Sequence, residues 1–222
     1  MKEIMTIPST KYHVNSILFK SVLIYGHQGA GKTEMVRAFT EEAVKRYGQE
    51  NVNAKWVSKG KYLSSLMDLG LDNKLVQILF CDNATLSRIP NDVLEEYFSI
   101  RHKWYEKTQR PYGYILSFIS AHRFHGVNLS LRTDNDVIIA MNAPSNPYDR
   151  NVIRKYIGSF GIQKLDEWDR KNMKGNAVCW TRTDIEMIQV PMASTNYLEE
   201  IPSSKCELLL SSPFYKYGNS RR

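Results

Sequence analysis

The sharpest chemical signal in the chain is the run Gly26-His27-Gln28-Gly29-Ala30-Gly31-Lys32-Thr33. It fits the spacing G-x-x-x-x-G-K-[S/T], a loop whose backbone N–H groups wrap phosphate oxygens. The glycines let the backbone curl close to the anion, and Lys32 can reach β- and γ-phosphates. The Thr33 hydroxyl can ligate Mg²⁺, and the helix that follows presents its positive end. A random chain of this length matches the pattern less than about once in a hundred at ordinary residue usage. The chemistry implied is nucleoside triphosphate binding, with ATP and Mg²⁺ as the expected ligands.

Asp82 closes the apolar run Leu75-Val76-Gln77-Ile78-Leu79-Phe80-Cys81. A carboxylate at the end of a buried strand is placed to hold Mg²⁺ opposite the loop hydroxyl, the Walker B role, rather than only to cap a turn. The next residue is Asn83, where many ATP hydrolases of this class place a Glu to orient the attacking water. Asn can hold a water but is a poor base, so hydrolysis is expected to be slow or to use a carboxylate from elsewhere. Glu95 and Glu96, on the following helix, read as a solvated face. His122 follows the run Ile115–Ile119 and is either a γ-phosphate sensor or a surface-loop histidine.

These residues need particular elements to position them. Ser21-Val22-Leu23-Ile24-Tyr25 reads as the strand feeding the loop, preceded by a further short run at Ile17-Leu18-Phe19. A helix from about Gly31 to Tyr47 carries Met35, Val36, Phe39, Ala43, Val44 and Tyr47 on one face and stops at Gly48. Strands are expected at 55–57, 75–81, 114–119 and 137–141, and helices near 62–69 and from Asn91 or Asp92 to about Lys107. Further helices are expected over 149–157 and onward to about 174, followed by two strands, 177–181 and 185–190, joined at Arg182-Thr183-Asp184. The alternation predicts an α/β fold with a mostly parallel central sheet flanked by helices, closed by a C-terminal β-hairpin. We expect one domain over residues 1–191 and an irregular extension over 192–222.

With 222 residues, 42% hydrophobic and 24% charged, the chain can bury a core without disulfide or metal staples. Cys81, Cys179 and Cys206 are three and widely spaced, which excludes a disulfide framework or zinc module. No apolar run approaches a membrane span, so a cytoplasmic protein without direct membrane insertion is expected. The net charge of +7 suits a polyanionic partner. Arg101, His102, Lys103, Lys107 and Arg110 cluster around Trp104 and Tyr105, either as a nucleic-acid contact or as a solvated helix face. Arg221-Arg222 reads as a frayed end.

The order of strand, phosphate loop, helix, Walker B strand and sensor strand resembles the additional-strand P-loop ATPases with a RecA-like core. Within them the later segments are similar to the FtsK–HerA superfamily of DNA-pumping ATPases. Ser120-Ala121-His122-Arg123-Phe124 resembles that family's A-T-Q-R-P region, with His for Gln. Leu131-Arg132 and the run Asp136–Met141 resemble the stretch into its last core strand, and Asp149-Arg150 falls where one branch has Asp-Ser-Arg. Residues 175–180 and 185–190 resemble its closing hairpin. The resemblance implies an ATP-driven ring of identical subunits acting on double-stranded DNA. In a chain this small it implies a viral genome-packaging motor, with a capsid or membrane component as a further candidate partner. It also makes Arg150 the candidate arginine finger, with Arg154 and Arg123 as alternatives and a surface arginine as the plain reading. The competing classes are an assembly protein that binds ATP and hydrolyses it weakly, a plasmid-transfer ATPase, a nucleotide kinase and a GTP switch. The last lacks its N-K-x-D tetrapeptide.

Overall fold

The computed structural model describes residues 16–84 and 89–211. Strand β1 (Ser16–Tyr25) lies at the centre of the sheet, pairing in parallel with β4 (Tyr112–Ala121) over its whole length and with β5 (Val137–Ala140) over its last turns of pleat. Its ten residues join the two short runs read from the sequence into one strand. On the far side of β4 come β3 (Val76–Cys81) and β2 (Val52–Val57), both parallel. Strand β4 therefore stands between the loop strand and the strand that ends at Asp82. Strand β6 (Asn176–Thr181) runs antiparallel to β5 and makes a hairpin with β7 (Ile185–Gln189). With β8 (Glu199–Glu200) beside β2, the order is β7-β6-β5-β1-β4-β3-β2-β8.

Period-two alternation sends neighbouring strand residues into two cores. Val22, Ile24, Ile78 and Phe80 meet Met35, Val36 and Phe39 of helix α1 (Lys32–Tyr47) on one face. Leu23, Tyr25, Leu79 and Cys81 face the other layer. That layer contains α2 (Leu63–Leu69), α3 (Asn91–Phe98), α4 (Ile100–Thr108), the short α5 (Leu129–Thr133) and α6 (Pro147–Arg170). All six residues of β3 are buried, which is why its sequence is an unbroken apolar run apart from Gln77. Gln77 is paired, accepting from Asn53 Nδ2 at 2.7 Å and donating to Asp72 at 3.0 Å.

Three expectations are corrected. The single helix expected over 91–107 is two, broken at Ser99, whose Oγ bonds the carbonyls of Glu95 and Glu96 at 2.8 and 3.2 Å. Pro90, rather than Asn91 or Asp92, occupies the cap position of α3. Within 192–222, expected to be irregular, β8 adds to the sheet and α7 (Ser203–Ser211) packs on α2 through the buried Cys206. Glu41 of α1 anchors the approach to them, accepting from the N–H and hydroxyl of Ser194. Arg221-Arg222 lies outside the described residues.

The two helical stretches expected after Pro147 are present as halves of α6, separated at Gly158 (φ 69°, ψ 176°), a backbone region open essentially to glycine alone. The α4 cluster is engaged with the protein itself. Trp104 is fully buried and donates to Asp72 O at 2.6 Å, while Lys107 caps α2 by donating to Asp68 O and Leu71 O, both at 2.8 Å. Lys103 pairs with Asp68 and Glu96. Arg101 and His102 are exposed. All three cysteines are buried. Among the described residues no helix is long and apolar enough to cross a membrane.

Candidate nucleotide site

The C-terminal ends of β1, β3 and β4 open into a cleft of about 1280 Å³. Lys32, Thr33, Asp82, Asn83 and His122, from three separate segments of the chain, all line it, together with the loop residues His27, Gln28, Gly29 and Gly31. Parallel strands bring this about. Their carboxyl ends share one edge, so the residue after each strand projects into the same crevice. Gly26 begins the turn, its N–H bonded to Ala121 O of β4 at 3.1 Å, and Ala30 N closes it onto His27 O at 3.2 Å. Gly31 is the left-handed cap of α1 (φ 93°), a conformation that side chains resist.

Lys32 is buried and donates to Gly26 O at 2.8 Å and His27 O at 2.9 Å, with His122 Nδ1 at 3.2 Å. Burial lowers the Lys32 pKa, and the Asp82 charge opposes that shift. His122 is pushed down by burial first and by the Lys32 charge second. It lines the cleft and touches Lys32, a position inside the crevice rather than on a surface loop.

Asp82 is oriented through one oxygen. Its Oδ1 accepts from Ser120 Oγ and from Asn83 N at 2.9 Å. Ser120 was not a candidate from sequence, although its place two residues before His122 on β4 is the register that faces Asp82. Asn83 adopts φ 53°, and its side-chain Oδ1 is buried with no partner among the described residues. A buried, unpartnered acceptor calls for a bound water or ligand donor. A threonine hydroxyl and a single carboxylate facing a phosphate loop suit Mg²⁺, which is held by few protein oxygens and completed by phosphates and water. The residues present thus fit ATP and Mg²⁺. No cluster of three or more His, Cys, Asp or Glu fit to hold a metal by itself occurs among the described residues.

The loop is braced from behind. His27 N donates to Asn142 Oδ1 at 3.2 Å, and Asn142 Nδ2 donates to Asp169 Oδ1 at 3.0 Å. Asp169 Oδ2 also accepts from Ala143 N at 2.8 Å. This ties the phosphate loop to the second half of α6. A smaller hollow of about 260 Å³, walled by Met141, Trp168, Asp169 and Met173, adjoins the cleft across Gln28 and Gly29. At the other end, Asp149 is buried and accepts from His125 N at 2.6 Å, with His125 Nδ1 at 2.8 Å. Burial, then the charges of Asp149 and Asp169, raise the pKa of the neighbouring Tyr25 far above the phenol range. None of Asn142, Asp169 or His125 carries a local sequence signal, because each acts across 24 residues or more.

Arg150 is not brought into the cleft. Its guanidinium forms a fork to both oxygens of Asp166 on the second half of α6. Of the two alternatives, Arg123 lines the cleft and Arg154 does not. Glu95 and Glu96 also lie away from it.

No protein-family model matches the sequence, and no curated protein is significantly similar to it. Solved structures are similar in fold. The crystal structure of B204, the DNA-packaging ATPase from Sulfolobus Turreted Icosahedral Virus, matches with a TM-score of 0.53 and 13% identity over 78% of this chain and 98% of that one. The genome packaging NTPase B204 from Sulfolobus turreted icosahedral virus 2 in complex with ATP-gammaS matches with a TM-score of 0.52, 12% identity and the same coverage. Together with the phosphate loop and the strand order, these matches show the fold: a mostly parallel sheet flanked by helices, with the architecture of a P-loop NTPase such as B204.

Proposed function

We propose that the chain is an ATP-hydrolysing motor that works as a ring and moves double-stranded DNA in genome packaging. The observation that carries the ATPase reading is the convergence of Lys32, Thr33 and Asp82 on one cleft. Lys32 neutralises charge on the β- and γ-phosphates. Thr33 and Asp82 would hold Mg²⁺, which would spread the charge of the reacting phosphate. Ser120 keeps Asp82 aimed, and Asn83 offers its free acceptor to the attacking water. The hollow beside Trp168 would take the nucleotide's base. The packaging role is supported by the likeness to B204, a DNA-packaging ATPase, and by the +7 charge, since a motor that follows phosphates needs no base readout.

Asn83 favours a second reading, a protein that binds ATP, hydrolyses it weakly and serves in assembly or plasmid transfer. Turnover by the purified protein with Mg²⁺, with and without duplex DNA, separates the two. The motor should be slow alone and several-fold faster with DNA, the stimulation falling with salt. Asn83→Glu should raise basal turnover, and Asp82→Asn should remove the Mg²⁺-dependent part. Turnover indifferent to DNA at low salt would favour the second reading. A fast wild-type enzyme that loses activity on Asn83→Glu would show that the carboxylate comes from another residue.

A further inference from the structure

The Lys32 ammonium has three N–H donors, and the protein supplies three acceptors: Gly26 O at 2.8 Å, His27 O at 2.9 Å and His122 Nδ1 at 3.2 Å. An ammonium so engaged must give up at least one of these contacts to bind a phosphate. His122 Nδ1 also lies 3.2 Å from Gly26 O. The two His122 contacts exclude each other. Without a proton on Nδ1 the ring accepts from Lys32. With one it donates to Gly26 O, competes for the carbonyl that Lys32 uses, and turns an N–H toward the ammonium.

We propose that His122 is a proton-operated holder of Lys32: unprotonated at Nδ1 it keeps the ammonium turned back on the loop, and on protonation it releases Lys32 to the phosphates, so that nucleotide binding takes up a proton at His122. This rests on the reading of the loop as a triphosphate site. It adds to the sensor role a positioning role toward Lys32.

The groups around His122 fix the sign. Lys32 from α1 and His27 from the loop disfavour the imidazolium, and Asp82 beyond β3 favours it through space. Arg123 follows it in the chain, and Glu34 and Asp149 line the same cleft. A bound triphosphate draws Lys32 away from Nδ1 and adds negative charge. Both changes raise the proton affinity of His122. A group whose pKa rises on binding makes binding tightest below its unliganded pKa, and the advantage is lost as pH climbs through the liganded one. With one proton linked, affinity falls by up to about tenfold per pH unit across that window.

The test is calorimetric titration of a non-hydrolysable ATP analogue with Mg²⁺, from about pH 6 to about pH 8, the range in which histidines titrate. Two buffers of different ionisation enthalpy report the protons taken up. His122→Gln keeps an acceptor that cannot be protonated, and His122→Phe removes the acceptor. The wild type should take up a larger fraction of a proton than either variant and lose affinity more steeply with rising pH, while the analogue's own titration is common to all three. Equal proton uptake and parallel pH profiles in the wild type and in whichever variants fold would overturn the proposal. No binding by the wild type at any pH would instead overturn the triphosphate reading beneath it.

Discussion

Lys32→Ala is expected to abolish ATP hydrolysis and to weaken triphosphate binding strongly. Deleting one preorganised donor from a site where charge develops typically lowers kcat by about 10²–10³. Lys32 brings a full charge and is the only cation of the phosphate loop itself. The loss should not be a folding defect. The carbonyls that Lys32 bonds, Gly26 O and His27 O, belong to a loop that lines an open cleft, where water can replace it. Turnover and nucleotide titration should therefore collapse while the thermal unfolding midpoint stays close to wild type. Unchanged turnover in the folded variant would sink the assignment of the loop.

Arg150→Ala is expected to cripple turnover while leaving nucleotide affinity nearly intact. Lys32 and a bound Mg²⁺ would cover the γ-phosphate from one side, and a second cation from a neighbouring subunit would complete the clamp. Such a finger is worth about 10³–10⁵ in rate. Arg150 sits outside its own cleft, in the first turn of α6, as a group acting on a neighbour must. Its fork to Asp166 gives a competing explanation, a tie between the two halves of α6. The pair is about one-third exposed on each side, so breaking it should cost no more than about 1 kcal/mol. Asp166→Asn discriminates, because it breaks the same pair and keeps the guanidinium. A finger predicts normal turnover in Asp166→Asn and loss in Arg150→Ala, with partial recovery when Arg150→Ala is mixed with Lys32→Ala subunits. Equal, small losses in both variants would make Arg150 structural and move the search to Arg123, which lines the cleft, or to Arg154.

The parts of the site that were legible in sequence are those whose chemistry is local. Gly26–Thr33 is contiguous, and Asp82 is announced by the buried strand before it. The central strands were legible because burial on both faces demands unbroken apolar runs. What escaped depends on contacts distant in sequence. Ser120 aims Asp82 from 38 residues away, and Asn142 and Asp169 brace His27 across three segments. Strand β8 is two residues long and exists only because β2 offers an edge. The Ser99 break escaped because the apolar stripe of α3 continues into α4, and only the hydroxyl bonding back to Glu95 and Glu96 ends the first helix. The α4 cations left both a nucleic-acid contact and a solvated helix face open, because spacing shows charge and not what the charge touches. Two of them cap or pair with α2.

The central claim is movement on double-stranded DNA driven by ATP, and displacement of a third strand tests it most directly. A triplex-forming oligonucleotide is annealed to a linear duplex, and its release is followed with purified protein, ATP and Mg²⁺. The expected result is release that requires ATP hydrolysis, is independent of duplex sequence, and is lost in Lys32→Ala and Arg150→Ala. DNA-stimulated hydrolysis without release of the third strand, under conditions where a known duplex translocase releases it, would contradict the account.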